Sequence, residues 1–145
     1  MRSMAEVYTY QRRVEFRDTD MAGIVHFSVF FTYMEEAEHE MLRHIGTGVI
    51  SENDGQKISF PRVSAHCDYR RAIKYDEIIA VQVSVNKIGN KSITYGFNFK
   101  RDDELVAEGI ITTACCIWNK DAPPTPITVP DDYRQRLAPY LTESE

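Results

Sequence analysis

The sequence predicts an α+β domain in which one amphipathic helix is followed by antiparallel strands. Two observations lead to this class. Apolar residues recur at intervals of three and four along one early segment, and in later segments they alternate with polar residues between short turns. The order of these segments contains no strand–helix–strand repeat, so a doubly wound parallel sheet is disfavoured.

The predicted helix covers residues 29–45. Its apolar stripe has spacings of 4, 3, 4 and 4, as one face of a helix requires: Phe30, Met34, Ala37, Met41 and Ile45. Gly46 and Gly48 follow, and glycine supplies the left-handed backbone with which helices commonly end. The polar stretch 51–57 is then predicted to be a loop.

Strands are predicted on both sides of this helix. Residues 7–16 are rich in aromatic and β-branched side chains and form the first. Alternation over 79–86 and 93–100, with Gly89-Asn90 between them, predicts an antiparallel hairpin. The apolar tail of 105–118 predicts a strand covered on both faces, and residues 130–141 predict a short terminal helix after a group of prolines.

Length and composition limit the classes of protein. A chain of 145 residues and 16.7 kDa predicts a single domain, residues 1–145. A net charge of −5 argues against nucleic acid and anionic membranes as partners. The chain has no apolar run long enough to span a membrane, its first residues lack the apolar stretch of a signal peptide, and its three cysteines form no CxxC pair. A cytoplasmic protein with reduced thiols is expected.

A single helix cannot cover both faces of a sheet of about five strands. The uncovered face and any free strand edge are expected to meet a second copy of the chain. The sequence therefore predicts a homodimer or a homotetramer.

Two metal-binding motifs begin in this chain without being completed. A calcium loop starting at residue 18 would need a side-chain ligand at Ala22 and a glutamate at Val29. A zinc helix of the H-E-x-x-H type begins at His39 but has Arg43 in its fifth place, and His44 comes one residue late. No metal site is predicted.

A different chemistry requires a carboxylate beside the start of a helix. Unpaired backbone N–H groups and the positive end of the helix dipole stabilise a developing oxyanion. A carbonyl held near Phe27 or Ser28 could be attacked by Asp20 directly, or by water that Asp20 activates as a base. An ordinary turn with an acid near a helix dipole has the same residues. A nucleophilic Cys67 is disfavoured, because His66 beside it in a strand points to the opposite face.

The segment EFRDTDMAGIVHFSVFFTYMEEAEHEMLRHIG resembles the signature of the 4-hydroxybenzoyl-CoA thioesterase family of hotdog-fold acyl-CoA hydrolases. The shared pattern is D-x-D-x-x-G-[IV]-V, an aromatic pair and a helix of the form [YF]-x-x-[YW]-[ML]-[ED]. The segments HCDYRRAIKYDEIIAV and TVPDDYR are also similar, more weakly. The resemblance implies an antiparallel sheet of about five strands wrapped around one long central helix, with sites at subunit interfaces.

The resemblance also implies the reaction and the residues that carry it. A CoA thioester, with an acyl or an aryl group, would be hydrolysed to free acid and coenzyme A, and no cofactor is needed because coenzyme A is part of the substrate. The catalytic carboxylate falls on Asp20 and a structural companion on Asp18. The oxyanion and substrate-binding positions that follow are Gly23, His26, Phe27 and Ser28.

This chain departs from one bacterial branch of that family, in which a Tyr and a His assist the carboxylate. Phe16 and Phe27 stand in those two places here. The alternative function is therefore a non-catalytic acyl-CoA or acyl-carrier binding protein. Because coenzyme A carries phosphates, a basic rim is expected, with these candidates: Arg70 or Arg71, Lys87, Lys91 and Ser92.

Overall fold

The computed structural model describes residues 5–48, 50–53 and 55–142. Two α-helices and nine strands are present in these ranges, with short 3-10 turns at Phe16–Asp18 and Ala138–Tyr140. In chain order the elements are β1 (Tyr8–Arg13), α1 (Val29–His44), β2 (Ser51–Asn53), β3 (Gln56–Ser59), β4 (Arg62–Tyr69), β5 (Ile78–Ile88), β6 (Ser92–Arg101), β7 (Glu104–Ala114), β8 (Cys116–Ile117), β9 (Thr125–Pro126) and α2 (Asp131–Leu137).

The main sheet has five antiparallel strands in the order β1-β5-β6-β7-β4. Apolar residues at every second position of these strands place one face of the sheet in the core. The alternate positions of β5 and β6 are almost inaccessible to solvent, and they form the floor of the core: Ile79, Val81, Val83, Val85, Ile93, Tyr95, Phe97 and Phe99. The predicted hairpin is confirmed, because β5 and β6 pair antiparallel.

Helix α1 packs its apolar stripe against this floor. Phe30, Met34, Ala37 and Met41 are all buried, as the spacing predicts. The helix has 16 residues, a little above the ordinary length for globular proteins, and the last stripe residue, Ile45, lies just beyond its end. The α+β class, with a five-stranded antiparallel sheet and a helix against it, is confirmed.

The helix comes close to the sheet at Gly109 of β7. A Cβ atom at this position would collide with the thioether of Met34. Met34 is fully buried, so its side chain has no free space to move into. The absence of a side chain at Gly109 therefore sets the height of α1 above the sheet.

Strand β4 lies at one edge of the sheet and pairs only with β7. All of its residues are exposed except Cys67, which is half-buried. Two ionic contacts of Arg62 join this edge to the helix. Its Nη2 lies 3.7 Å from Oε2 of Glu35, and its Nη1 lies 2.6 Å from Oε1 of Glu38, which is 2% exposed. The approach is poorly aligned for a hydrogen bond, so this Glu38 oxygen is left unsatisfied within the described structure.

Two sequence-based predictions are corrected. The segment 105–118 is not covered on both faces, because Ile110 is 45% exposed while its neighbour Ile111 is buried. The outer face of β7 carries no other layer in the described part of this chain. The predicted loop 51–57 instead contains β2 and β3, which pair as a hairpin in a second, small sheet of order β2-β3-β8-β9.

The predicted terminal helix is present as α2. The first strand ends at Arg13, three residues earlier than predicted, and a 3-10 turn follows. None of the helices in the described part of the chain combines the length and the apolar character that a membrane span needs.

Candidate active site

Asp20 lies at the tip of a tight turn before α1. Its N–H donates to the carbonyl of Ile24 and its carbonyl accepts from the N–H of Gly23, both over 2.9 Å. Gly23 has φ +81°, a left-handed conformation that favours glycine. The Asp20 carboxylate accepts one hydrogen bond, from the N–H of Ala22 at 2.9 Å, and the rest of the described chain offers it no other donor. Asp20 is half-buried, so its carboxylate stays accessible.

On its far side the turn is bonded to the connection between β4 and β5. The N–H of Val25 donates to the carbonyl of Ile73 over 2.8 Å, and Ile24 forms a single β-bridge with Lys74. Val25 and Ile73 are both buried. Backbone bonds therefore supply most of the contacts that hold the Asp20 turn, and the side chain adds one, from the N–H of Ala22.

Asp18 has a different environment, two residues earlier. It is 5% exposed, and its Oδ2 accepts hydrogen bonds from the N–H of Glu15 and the hydroxyl of Tyr33, each at 2.8 Å. Arg12 Nη1 adds an ionic contact at 3.2 Å. Burial and the bond to Asp18 raise the pKa of Tyr33, so its hydroxyl remains a donor. Asp18 is engaged in holding the loop, as the resemblance implies.

The start of α1 carries no side-chain cap. Ser28 occupies the capping position, but its hydroxyl pairs with His26 Nδ1 at 2.8 Å and makes no capping bond. The first turn contains no acidic residue. His26 stacks its ring on that of Phe27, with ring centroids 4.6 Å apart. In the described part of the chain the N–H of Phe27 has no acceptor, so a donor is available at the positive end of the helix.

A cavity of about 450 Å³ connects the turn with the helix start. Both Asp20 and Phe27 line it, whereas Gly23, His26 and Ser28 do not. The remaining walls are mainly apolar and aromatic: Ile24, Val25, Phe30, Tyr69, Ala72 and Ile73. A residue with a lightly bonded carboxylate and a residue with a backbone N–H unpaired in the described structure thus line one largely apolar space.

The predicted basic rim is only partly assembled at this cavity. Arg70 and Arg71 line it, and each is paired with a glutamate: Arg70 Nε lies 2.8 Å from Glu108 Oε2, and Arg71 Nε lies 3.0 Å from Glu104 Oε2. The other candidates, Lys87, Lys91 and Ser92, lie at the β5–β6 hairpin. They are separated from the start of β5, the strand that follows the lining residues Ala72 and Ile73, by the length of that 11-residue strand, roughly 35 Å. Within one chain the structure does not bring the hairpin to the site.

Three side chains that hold the loop and the helix start were not predicted from the sequence. Arg12 and Tyr33 hold Asp18, and the Tyr69 hydroxyl donates to the carbonyl of Phe27 over 2.8 Å. The last contact spans 42 residues of sequence, and no local pattern reveals such a pairing. Tyr33 gave a weak signal, since it is a polar aromatic next to the apolar stripe of the helix.

The structure also bears on two other chemistries, metal binding and a cysteine nucleophile. In residues 5–48, 50–53 and 55–142 no three His, Cys, Asp or Glu side chains are grouped to hold a metal ion. Burial raises the pKa of the Cys67 thiol to about 11, so this cysteine is protonated near neutral pH.

Acyl transfer, in which a carbonyl is polarised and attacked, requires a carboxylate near an open helix start, and Asp20 and Phe27 both line this cavity. The chain belongs to the thioesterase-like superfamily, whose family model matches residues 14–137. The prediction of a thioesterase is therefore confirmed at the level of enzyme class.

Individual relatives agree with this class. A putative esterase of Aquifex aeolicus is 31% identical over 112 residues, which cover 77% of this chain and 86% of that protein. A 1,4-dihydroxy-2-naphthoyl-CoA hydrolase of Prochlorococcus marinus is 25% identical over 73% of this chain and 80% of its own length. The solved structure of a gentisyl-coenzyme A thioesterase is 26% identical, with a TM-score of 0.78 over 89% of this chain and 98% of that one. The chain thus shares the hotdog thioesterase fold, while the narrower hydroxybenzoyl branch is not singled out.

Proposed function

We propose that this chain hydrolyses an aryl-CoA or acyl-CoA thioester to the free acid and coenzyme A, with Asp20 as the catalytic carboxylate. One observation carries the proposal: Asp20, whose carboxylate accepts a single hydrogen bond among the described residues, and Phe27, whose N–H has no acceptor among them, line the same cavity. The carboxylate supplies the attack and the N–H supplies an oxyanion donor.

Two routes are consistent with this arrangement. In the first, Asp20 attacks the thioester carbonyl, the C–S bond breaks, and water then hydrolyses the mixed anhydride to release the acid. In the second, Asp20 takes a proton from water, which attacks the carbonyl, and the thiolate leaves and is protonated. In both, negative charge develops on the carbonyl oxygen, where the N–H of Phe27 stabilises it. No metal or redox cofactor takes part.

The walls of the cavity favour a planar acyl group. Phe27, Phe30 and Tyr69 present three aromatic rings, and aromatic groups pack well in offset or edge-to-face contacts. Aryl groups such as hydroxybenzoyl or dihydroxynaphthoyl fit this lining, and short or medium fatty acyl groups remain compatible with its apolar surface. Arg70 and Arg71 at the rim are the candidates for the phosphates of coenzyme A.

We propose that the active form is a homodimer or homotetramer of a cytoplasmic protein, with the sheet wrapped around the helix as in the hotdog arrangement. Strand β4 presents one unpaired backbone edge and Ile110 an uncovered apolar side chain. A second subunit that pairs along β4 would cover this edge. Its β5–β6 hairpin would then bring Lys87, Lys91 and Ser92 to the end of the sheet where the cavity lies. Light scattering at micromolar concentration should give two or four times 16.7 kDa, and a monomer would contradict the assembly.

A panel of CoA thioesters assayed by thiol release tests the function. Hydroxybenzoyl, dihydroxynaphthoyl, short-chain and medium-chain thioesters are compared, with binding of each measured by calorimetry on the same sample. Thiol release well above the uncatalysed rate for at least one substrate class is expected. Tight binding without thiol release would support the alternative, a non-catalytic acyl-CoA or acyl-carrier binding protein.

A further inference from the structure

We propose that Tyr69 is a positioning residue of the oxyanion site: its hydroxyl fixes the peptide at the start of α1 so that the N–H of Phe27 stays aimed into the cavity. This inference rests on the proposed hydrolysis. In that reaction, Tyr69, a residue of the edge strand β4, would have a positioning role.

The hydrogen bonds around Phe27 show why an anchor is needed. On its N-terminal side the carbonyl of His26 accepts the N–H of Val29 at 2.9 Å, which orients the peptide that carries the Phe27 N–H. On its C-terminal side the carbonyl of Phe27 accepts from Tyr69 at 2.8 Å. With both neighbouring carbonyls held, the φ and ψ angles of Phe27 are fixed. The N–H of the same C-terminal peptide, on Ser28, donates to His26 Nδ1 over a longer 3.3 Å. Without the Tyr69 bond, this weaker contact is the one side-chain bond that restrains the peptide among the described residues.

The same hydroxyl also neutralises an unfavourable dipole. The carbonyl oxygen of Phe27 carries partial negative charge, and it belongs to the same residue as the N–H that is proposed to stabilise the oxyanion. A donated hydrogen bond from Tyr69 compensates that charge, so the remaining field at the helix start is positive. Tyr69 is 45% exposed, and a bound substrate would exclude water and strengthen the bond.

Tyr69 is suited to this role because it is rigidly attached to the sheet. It pairs with Ala107 in the β4–β7 ladder, and the following N–H, of Arg70, donates to the carbonyl of Val106 over 2.9 Å. Its ring also meets Phe30 edge to face at 4.9 Å. Through the hydroxyl of Tyr69, the sheet therefore contacts the backbone carbonyl of Phe27 at the start of α1.

The test is Tyr69→Phe, which keeps the ring and removes only the hydroxyl. Tyr75→Phe is the matched control, since Tyr75 is exposed, lies near the same loop and makes no hydrogen bond with its hydroxyl among the described residues. For wild type and both variants, kcat and KM are measured on the best thioester of the panel. Melting temperatures and the backbone amide resonances of Phe27 and Ser28 are recorded in parallel.

Tyr69→Phe should lower kcat about 10- to 100-fold, with KM within about two-fold, because misplacing a transition-state donor acts on the chemical step. The amide resonances of Phe27 and Ser28 should move in Tyr69→Phe and stay in place in Tyr75→Phe. A kcat within two-fold of wild type would overturn the inference. A fall in kcat that is accompanied by an equal fold rise in KM would also overturn it. If the wild type hydrolyses no thioester, the proposed function fails, and unmoved amide resonances would show separately that Tyr69 anchors nothing.

Discussion

Asp18 and Asp20 are two carboxylates in one loop, and their surroundings are opposite. Asp18 is buried and accepts from a backbone N–H, a tyrosine hydroxyl and an arginine on the same oxygen. Asp20 is half-buried and accepts one hydrogen bond, from within its own turn, among the described residues. The two side chains are identical and only two positions apart, so the difference lies in what the fold supplies to each.

This contrast distinguishes a carboxylate that stabilises the loop from one that is available for a reaction. A carboxylate whose lone pairs are committed to donors is a poor nucleophile or base, because attack would require those bonds to break. A carboxylate with free lone pairs beside an oxyanion donor is available for chemistry. The tight Asp20 turn is held mainly by backbone bonds: the carbonyl of Ile24 accepts from Asp20, and the N–H groups of Gly23 and Val25 donate. The Asp20 side chain accepts a single bond, from Ala22, among the described residues.

The largest effect is expected for Asp20→Asn. The amide keeps the size of the side chain but cannot attack or take a proton, so kcat should fall by about 10² to 10⁴, or further if Asp20 is the nucleophile. Thermal unfolding should change little. Steady-state kinetics with thiol detection measure the loss, and Asp103→Asn, an exposed acid in the β6–β7 turn, serves as the control. Turnover equal to wild type would remove Asp20 from the mechanism.

The next effect is on stability, for Asp18→Asn. This change removes the charge that faces Arg12 and weakens the bonds from Glu15 and Tyr33, so the free energy of unfolding should drop by roughly 2–4 kcal/mol. Urea denaturation followed by fluorescence measures it. A greater loss of kcat than in Asp20→Asn, with unchanged stability, would reverse the two roles.

Glu38 extends the comparison to a carboxylate that is buried but poorly bonded. Burial raises its pKa from 4.5 to about 7, against the opposing effect of Arg62. Because the folded-state pKa lies above the unfolded one, the stability from this group is complete below about pH 4.5 and is lost as pH rises through about 7.

Ionisation of Glu38 is expected to lower the free energy of unfolding by roughly 1–3 kcal/mol between pH 5 and 8. Glu38→Gln should reduce this slope of the free energy of unfolding against pH. Chemical denaturation across this range gives the slope directly. Glu35→Gln is the matched control, since Glu35 is exposed and its carboxylate lies 3.7 Å from the same arginine. If both variants keep the wild-type slope, Glu38 does not titrate in this window.

The smallest effect, none at all, is expected for chelation. On the proposed mechanism Asp20 must face the thioester carbon, so it is not available as a metal ligand. Prolonged treatment with EDTA should leave hydrolysis unchanged, and added zinc should not stimulate it. Loss of turnover on chelation, restored by zinc, would mean that the His26 loop binds a metal and that the carboxylate mechanism is wrong.

The sequence predicted those parts of the fold in which burial imposes a regular period. The alternation in β5 and β6 and the stripe of α1 are such cases, and Asp20 was marked by a local motif. Strand β4 was harder to predict, because an edge strand exposed on both faces has no alternation to detect. The bonds from Arg12 and Tyr33 to Asp18, and from Tyr69 to Phe27, join distant parts of the chain, so their partners are defined only by the three-dimensional fold.

The close approach at Gly109 has a consequence for the evolution and engineering of this enzyme. Any larger residue there would displace Met34 and tilt or lift α1 as a rigid rod. The start of that rod carries the Phe27 amide, whereas Tyr69 stays with the sheet, so their 2.8 Å contact would stretch. A substitution remote from the cavity could thus slow turnover while every active-site residue is retained, and screens for activity would detect position 109 although it touches no substrate.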